Sequence, residues 1–321
     1  MNIGRAIGLR LGKATRDAFG ETLVELGREN PDIVVLDADL NNSTKTDLFA
    51  KAFPERFFNV GIAESNLVGI AGGLASSGKI PFIASFACFL MGNAYDQLRM
   101  SIAFPHLNVK CVGSHGGISI GEDGPSQMSI EDVALASTLP GFSVIVPADE
   151  VATRALVKAS AEHVGPVYIR VGRPKVPIVY QDGHAFALGR ANLLREGDDV
   201  ALIANGLMVA AALEAAYLLS EAGIEAAVLD MYTVKPIDQA ALVAFASTTG
   251  AMVVAEEHQI WGGLGSVVAR VLAQACPIPV EFVAINDTYA ESGSPDELFR
   301  KYGLTAEAIV EAAKRALLRK K

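Results

Sequence analysis

Basic charge, aromatic residues and cysteine are all scarce in this sequence of 321 residues. Lysine and arginine number 27 against 36 aspartates and glutamates, and the net charge is −9. We therefore expect no nucleic-acid binding through a general basic surface, although a local basic pocket stays open. Cys88, Cys111 and Cys276 are far apart and have no metal-ligand spacing, so they predict neither a zinc site nor a disulfide framework. Reduced thiols in the cytoplasm are the expected state.

Long apolar runs and targeting signals are missing as well. Residues 1–19 carry basic side chains every few positions and lack the apolar segment of a secretory signal. The most apolar stretch, residues 80–91, is too short to span a bilayer. We expect a cytoplasmic protein that does not enter a membrane.

Short apolar or β-branched runs alternate with longer stretches of helical spacing. The runs predict strands at residues 32–39, 79–86, 108–113, 142–147, 166–171, 199–205, 225–230, 251–257 and 279–285. Strands alternating with helices predict an α/β fold whose mainly parallel sheets are covered by helices. The pattern breaks at residues 172–186, so we expect two α/β domains, 1–175 and 188–321, joined by a linker at 176–187.

The segment GSHGGISIGEDGPSQM, residues 113–128, is the densest in potential chemistry. It follows a predicted strand and places His115 and Asp123 among five glycines. A flexible surface loop is one interpretation. Because ligands bind at the carboxyl ends of strands in such sheets, a binding loop is the other. The glycine spacing matches no nucleotide-binding fingerprint.

Glu64 lies near the start of a predicted helix in FNVGIAESN, residues 58–66. It is either a carboxylate stabilised by the helix N-terminus or a buried acid that faces a ligand. Gly72 and Gly73 are costly inside that helix and predict close packing of another backbone.

Phe86 and Phe89, in the segment SFACFLMGNAYDQLRM, follow a predicted strand, where aromatic side chains are commonly part of the core. Arg16, Thr46 and Arg173 are each unremarkable when taken alone.

Together these segments resemble the transketolase family. The resemblance runs over nearly the whole chain and includes ATR, DADLNNSTKT, GIAESN, IRVGRP, VKPID and EEHQIWGGLG. The GEDGPSQ loop sets the chain apart from deoxyxylulose-phosphate synthases and from the beta subunits of 2-oxoacid dehydrogenases, which share the order of domains. The resemblance implies a pyrimidine-binding domain followed by a transketolase C-terminal-like domain, and transfer of a two-carbon ketol unit with thiamine diphosphate.

The resemblance also implies roles for residues at the cofactor. Glu64 would hydrogen-bond N1′ of the aminopyrimidine and hold a proton there, for which it must be shielded from water. Phe89 would stack on the pyrimidine ring, Phe86 would line the same pocket, and Asp39 would contact the cofactor region.

A second implied group would bind the sugar phosphate. The family's clamp for the terminal phosphate corresponds to Arg16, Thr46, His115 and Arg173, a set that suits a dianion. Asp123 would hydrogen-bond a substrate hydroxyl, and Gln127 would hydrogen-bond the substrate carbonyl. Gln127 stands where bacterial members usually carry histidine and mammalian members glutamine. The segment between Phe89 and Ala94 is one residue longer than the common pattern.

The part of the family that holds Mg²⁺ and the diphosphate has no counterpart in this sequence. Its GDG motif and following asparagine are missing, so no metal site is expected here. The chain begins where the family's pyrimidine domain begins, and we expect a separate subunit. A partner chain, the N-terminal transketolase subunit, would supply the diphosphate and Mg²⁺ site. Two chains of each kind would assemble around shared cofactors.

Two alternatives stay open. The enzyme could act on an unusual sugar, deoxy or sulfonated, with the same fold and cofactor. The chain could instead be a non-catalytic scaffold, although a scaffold has no need for an acid beside aromatic residues. In the second domain, His258 is expected to be a structural histidine.

Overall fold

The computed structural model describes residues 3–320 and contains two mainly parallel sheets covered by helices, which confirms the predicted α/β class. The strands of the first half are β1 (Leu11–Ala14), β2 (Ile33–Asp37), β3 (Phe57–Asn59), β4 (Ile80–Phe86), β5 (Lys110–Ser114), β6 (Ser143–Ile145), β7 (Val167–Arg170) and β8 (Lys175–Pro177). Strands β2 to β7 form one sheet in the order β6-β7-β5-β4-β2-β3, with parallel neighbours throughout. Strands β1 and β8 pair with each other in an antiparallel ribbon.

Helices follow most of these strands. They are α1 (Thr15–Glu29), α2 (Asn41–Thr44), α3 (Asp47–Ala52), α4 (Glu64–Ser76), α5 (Ala87–Asn93), α6 (Tyr95–Gln97), α7 (Asp132–Thr138) and α8 (Glu150–Glu162). A turn of π-helix, Leu98–Ala103, continues α6. Helix α1 buries Phe19, Leu23 and Leu26, whose spacing places them on one face. The carboxylate of Asp149 caps α8 by accepting the N–H of Ala152 at 2.8 Å.

The second half repeats the pattern around its own sheet. Its strands are β9 (Asn192–Arg195), β10 (Val200–Ala204), β11 (Ala226–Asp230), β12 (Thr233–Lys235), β13 (Met252–Gln259) and β14 (Val280–Ile285). The sheet order is β14-β13-β10-β11-β9, and only β9 pairs antiparallel in this sheet of the described chain. The helices are α9 (Met208–Glu221), α10 (Gln239–Thr249), α11 (Leu264–Ala275), α12 (Pro295–Lys301) and α13 (Ala306–Leu318). Ser294 and Thr305 cap the N-termini of the last two helices.

The two halves share structure at their boundary. Strand β12 leaves the second half and pairs antiparallel with β6, so it forms the edge of the first sheet. Lys235 at its end donates to the carbonyl oxygens of Ser137 and Leu139, at 3.0 and 2.6 Å. Between the halves, buried Tyr180 donates to Asp230 at 2.7 Å. The predicted linker is therefore packed against the second sheet.

Helix α4 tests the prediction made from its paired glycines. A Cβ on Gly72 would lie 2.8 Å from the carbonyl oxygen of Ser101, so another backbone does pack closely there. A Cβ on Gly73 would meet nothing within 4 Å, and for this glycine the prediction was wrong.

Cys88, Cys111 and Cys276 are free thiols. Between residues 3 and 320, we find no helix with the length and apolar character needed to cross a bilayer.

Candidate active site

Most of the predicted site residues lie at one edge of the first sheet, where its parallel strands end. The register places Asp37 of β2 beside Ala84 of β4. Phe86 at the end of β4 lies beside Ser114, which ends β5. Because all these strands run the same way, the side chains that follow them converge at the carboxyl edge of the sheet.

Glu64 is the first residue of α4, and its side chain is turned toward the end of β4. The residue is 5% exposed. The hydroxyl of Ser85 donates to Glu64 Oε1 at 3.0 Å. Within residues 3–320 this is the one hydrogen bond that the carboxyl group accepts. A largely buried carboxyl group with one protein partner has capacity left for a ligand.

Phe86 connects the neighbourhood of Glu64 with that of His115. Its ring stacks on the imidazole of His115 with a centroid separation of 3.9 Å, and on Phe89 with a separation of 5.6 Å. Phe86 is 7% exposed, whereas Phe89 is half-buried. Phe89 is thus the aromatic side chain with surface left for a ligand, and Phe86 supports it from behind.

Arg16, at the start of α1, and His115 are in direct contact. Nη1 of Arg16 donates to the carbonyl oxygen of Ser43 and to Nε2 of His115, each at 3.0 Å. Since Nε2 accepts, the ring carries its proton on Nδ1 and donates to the hydroxyl of Ser114 at 2.7 Å. The imidazole therefore holds the guanidinium of Arg16 in place, and its own N–H is directed at Ser114.

Burial and positive charge keep His115 neutral. Burial is the larger cause, and the charges of Arg16, Arg173 and Lys45 add to it, so that the pKa of His115 falls to about 3. Burial also lowers the pKa of Arg16, which as an arginine stays charged. His115 is therefore a neutral side chain beside the positive charges of Arg16, Arg173 and Lys45, and these three cations favour an anion.

Thr46 requires a correction. The residue is fully buried, and its hydroxyl donates to Asp37 Oδ2 at 2.8 Å. Thr44 donates to the same oxygen at 2.7 Å, and the N–H of Leu40 donates to Oδ1 at 2.6 Å. Thr46 thus helps Asp37 to shape the segment after β2 and is closed to a ligand. Ser43, whose carbonyl contacts Arg16, is the half-buried hydroxyl residue beside the cation.

Burial raises the pKa of Asp37, while the hydrogen bonds from Thr44, Leu40 and Thr46 oppose that rise. Asp37, Ser43, Ser85 and Ser114 were not among the predicted site residues. An acid that ends a buried strand was the available signal for Asp37. The serines carry no such signal, because their roles depend on the register of neighbouring strands.

Arg173 and Asp123 were predicted to contact different parts of a substrate, but here they contact each other. Nη1 of Arg173 donates to the carbonyl oxygen of Ile120 at 2.7 Å and lies 3.3 Å from Asp123 Oδ1. The carboxylate of Glu122 lies 3.6 Å away. The glycine-rich loop, residues 113–128, is therefore folded onto Arg173.

Gln127 and Asp39 lie at the periphery of these contacts. The side-chain oxygen of Gln127 accepts a hydrogen bond from the hydroxyl of Ser126 at 2.5 Å. The backbone carbonyl of Gln127 accepts from the thiol of Cys88 at 3.3 Å. The exposed Asp39 has a positive φ of 64° and accepts from Asn59 at 2.8 Å. Neither side chain makes a described hydrogen bond to Glu64, Arg16 or His115.

In the part of the chain that the structure describes, no three histidine, cysteine, aspartate or glutamate side chains cluster as a metal site would require. His258 is buried and structural: its Nε2 accepts the N–H of Ala134 at 3.3 Å, and its Nδ1 donates to the carbonyl of Gln259 at 2.6 Å.

Comparison with known families covers both halves of the chain. Residues 12–179 match the family described as "Transketolase, pyrimidine binding domain", and residues 189–309 match "Transketolase, C-terminal domain". The chain belongs to the transketolase family. A solved structure described as "Split gene transketolase, inactive beta4 tetramer" is 55% identical, with a TM-score of 0.91. That match covers 97% of this chain and 100% of the other.

Two other relatives named as parts of transketolases have nearly the same extent. A protein of Methanocaldococcus jannaschii, provisionally named "transketolase C-terminal section", is 43% identical over 302 residues, 93% of this chain and 95% of that protein. The "6-deoxy-6-sulfo-D-fructose transketolase subunit SqwH" of Clostridium sp. (strain MSTE9) is 43% identical over 305 residues, 95% of each chain. The chain is accordingly a C-terminal subunit of a split transketolase.

Proposed function

We propose that this chain is the pyrimidine-binding subunit of a two-chain transketolase that transfers a two-carbon ketol unit from a ketose phosphate to an aldose phosphate. The observation that carries this proposal is the pairing of buried Glu64 with Ser85 beside the aromatic pair Phe86 and Phe89. An acid held next to an available aromatic face fits an aminopyrimidine, which offers a ring nitrogen and a flat surface.

Bound thiamine diphosphate supplies an electron sink for carbon–carbon bond cleavage. The chain's own contribution is to orient that group and to place protons. Glu64 would hold a proton at the pyrimidine nitrogen N1′, and Ser85 fixes the carboxyl group by donating to its other side. Phe89 would stack on the ring, and Phe86 keeps Phe89 in position and water away.

The contact between Arg16 and His115 supports binding of the substrate's anionic end at the carboxyl edge of the sheet. Arg16, Arg173 and Lys45 all act on His115 electrostatically, and Ser43 adds a hydroxyl residue beside them. A phosphate dianion gains more from several cations than a sulfonate monoanion does. Binding to Arg173 would require Asp123 to leave it, which would free that carboxylate for a substrate hydroxyl.

A partner chain would provide the diphosphate and Mg²⁺ site and cover the exposed face of α4. On this face a Cβ on Gly69 or on Gly73 would meet nothing within 4 Å. Ile62 just before the helix is 85% exposed, and Ile70 is 38% exposed. Small and apolar residues at a surface suit contact with another subunit. We propose an assembly of two chains of each kind, with the cofactor between them.

A second candidate substrate is a sulfonated ketose, because one relative is named for 6-deoxy-6-sulfo-D-fructose. The two candidates differ in the charge at the end of the sugar, so a panel of donors separates them. The purified complex of both chains, with thiamine diphosphate and Mg²⁺, is assayed with a ketose phosphate, a sulfonated ketose and an unmodified ketose. We expect the ketose phosphate to have the highest kcat/KM.

Substitution of Glu64 tests the catalytic assignment against the scaffold alternative. Glu64→Gln should lower kcat by about 100-fold or more, because the amide cannot place the proton. Glu150→Gln is the matched control, since Glu150 also begins a helix, α8, and accepts the N–H of Lys13 at 2.9 Å. The control should keep most of the activity. Full activity of Glu64→Gln would show that the carboxylate only stabilises its helix.

A further inference from the structure

The end of β13 in the second sheet reaches the glycine-rich loop of the first half. Glu257 on this strand is 8% exposed, and its Oε1 accepts the N–H of Ser119 at 2.6 Å. A Cβ on Gly117 would collide with the same carboxylate, so the loop backbone lies directly against it. Gly117 has a positive φ of 82°, which suits glycine at this contact.

Arg170, at the end of β7, ties Glu257 to the other end of the loop. Its Nη1 donates to the carbonyl oxygen of Glu257 at 2.8 Å, and its Nη2 donates to that of Ser129 at 2.8 Å. Nε lies 3.2 Å from Asp132 Oδ2. Burial opposes the charge on Arg170, yet the carboxylates of Asp132 and Glu257 raise its pKa. Arg170 therefore connects the two halves, through an ion pair with Asp132 of the first half and a hydrogen bond to the backbone carbonyl of Glu257 in the second.

Ser129 completes the connection. Its carbonyl oxygen accepts the N–H of Gly117 at 2.6 Å as well as the guanidinium of Arg170. Both ends of the glycine-rich loop are thereby fixed to Glu257 and Arg170. His115 lies two residues before Gly117 and contacts Arg16, so the position of this loop sets the geometry of the anion site.

We propose that Glu257 of the second half is a positioning residue for ketol transfer, which acts through Ser119 and Gly117 to hold His115 and Arg16 in the geometry that binds the anionic end of the sugar. This inference rests on the function proposed above and assigns the C-terminal domain a part in substrate binding.

Glu256 offers a matched control next to Glu257. It is 2% exposed and belongs to the same strand, but its carboxylate accepts the N–H groups of Leu264 and Gly265 at the start of α11, at 2.7 and 2.8 Å. Glu256→Gln therefore perturbs the second half without touching the glycine-rich loop. Glu257→Gln keeps the shape of the side chain and one acceptor oxygen. It removes the negative charge that acts on Arg170, and it puts an NH₂ group that cannot accept a hydrogen bond in place of the second oxygen against the loop.

The experiment compares both variants in the purified complex of the two chains, with a phosphorylated and an unphosphorylated ketose as donors. For Glu257→Gln we expect KM for the phosphorylated donor to rise about tenfold, because displaced site residues lose affinity steeply. The kcat and the KM for the unphosphorylated donor should change less than about threefold. Glu256→Gln should leave the ratio of the two KM values as in the wild type.

Deuterium exchange of the same complexes provides a readout that does not depend on turnover. Glu257→Gln should speed exchange in residues 114–120, whereas Glu256→Gln should speed it only at the start of α11. Equal rises of both KM values, or an exchange pattern like that of the control, would overturn the positioning role. A wild-type complex without ketol transfer would refute the proposed function itself, which separates the two failures.

Discussion

At the scale of single residues, His115 behaves differently from a typical histidine. An exposed imidazole is partly protonated near neutral pH. His115 is 2% exposed, accepts from Arg16 and has its pKa lowered to about 3, chiefly by burial. In the folded chain its ring is in contact with the guanidinium of Arg16. The residue type could be read from the sequence, but the charge state depends on neighbours from α1 and β5.

The state of His115 predicts how stability depends on pH. The unfolded chain takes up this proton near pH 6.5 and the folded chain only near pH 3, so stability falls as the pH drops below about 6.5. His115→Asn should weaken that fall, because asparagine does not titrate and tolerates the positive φ of 60°. Urea unfolding at several pH values between about 7 and 4 measures the slope.

His106→Asn is the control for this measurement. His106 also has a positive φ, 55°, but it is exposed. The control should keep the wild-type slope on the acid side. If His115→Asn keeps it too, the imidazole is not held neutral by its surroundings.

The sequence alone could not tell which of Thr46 and Ser43 lies beside Arg16. Both are hydroxyl residues in the segment after β2, and the pattern alone favours neither. The two residues differ because Asp37 is buried and accepts hydrogen bonds from the hydroxyls of Thr44 and Thr46, so that both side chains point into the protein. Ser43 is then the one beside Arg16. Glu64, Phe89 and Arg16 were selected because the segments that contain them resemble those of the transketolase family.

At the scale of elements, α4 carries two adjacent glycines with opposite surroundings. Gly72→Ala should destabilise the isolated chain by about 1–3 kcal/mol, because the new Cβ would press on the carbonyl of Ser101. Gly73→Ala should stabilise it by about 0.5–1 kcal/mol, because alanine favours the helix and meets open space. Denaturant unfolding of the two variants measures both effects.

The same pair tests the proposed partner face. If the other subunit covers α4, Gly73→Ala should weaken assembly of the complex even though it stabilises the chain alone. Sedimentation of the mixed chains measures assembly. Unchanged assembly would place the partner's contact away from this face.

The longer strands and helices could be predicted because their hydrophobic periodicity extends over several turns or residue pairs. Strands β1, β3, β8, β9 and β12 were not predicted. The three- and four-residue strands β1, β8 and β12 are too short to show a period, and they exist because of distant partners. Helix α5 was not predicted because it lies in an apolar run, and periodicity alone cannot decide whether such a run is a strand or a helix.

At the scale of the whole molecule, the two halves are less separate than their sequence pattern indicates. A cluster of buried apolar side chains contains both Phe19 of α1 and Leu202 of β10. Strand β12 completes the first sheet, and Glu257 contacts the glycine-rich loop. Contacts between segments so far apart in sequence leave no local pattern, which is why the contacts between the two halves emerged only from the structure.

The central claim, that this chain holds one half of a shared cofactor site, is tested most directly by calorimetry with thiamine diphosphate and Mg²⁺. The titration is made on this chain alone and again after the N-terminal subunit has been added. We predict no Mg²⁺-dependent binding to the chain alone and tight binding to the mixture. Tight, Mg²⁺-dependent binding to the chain alone would contradict the account, because it would require a diphosphate site within this chain.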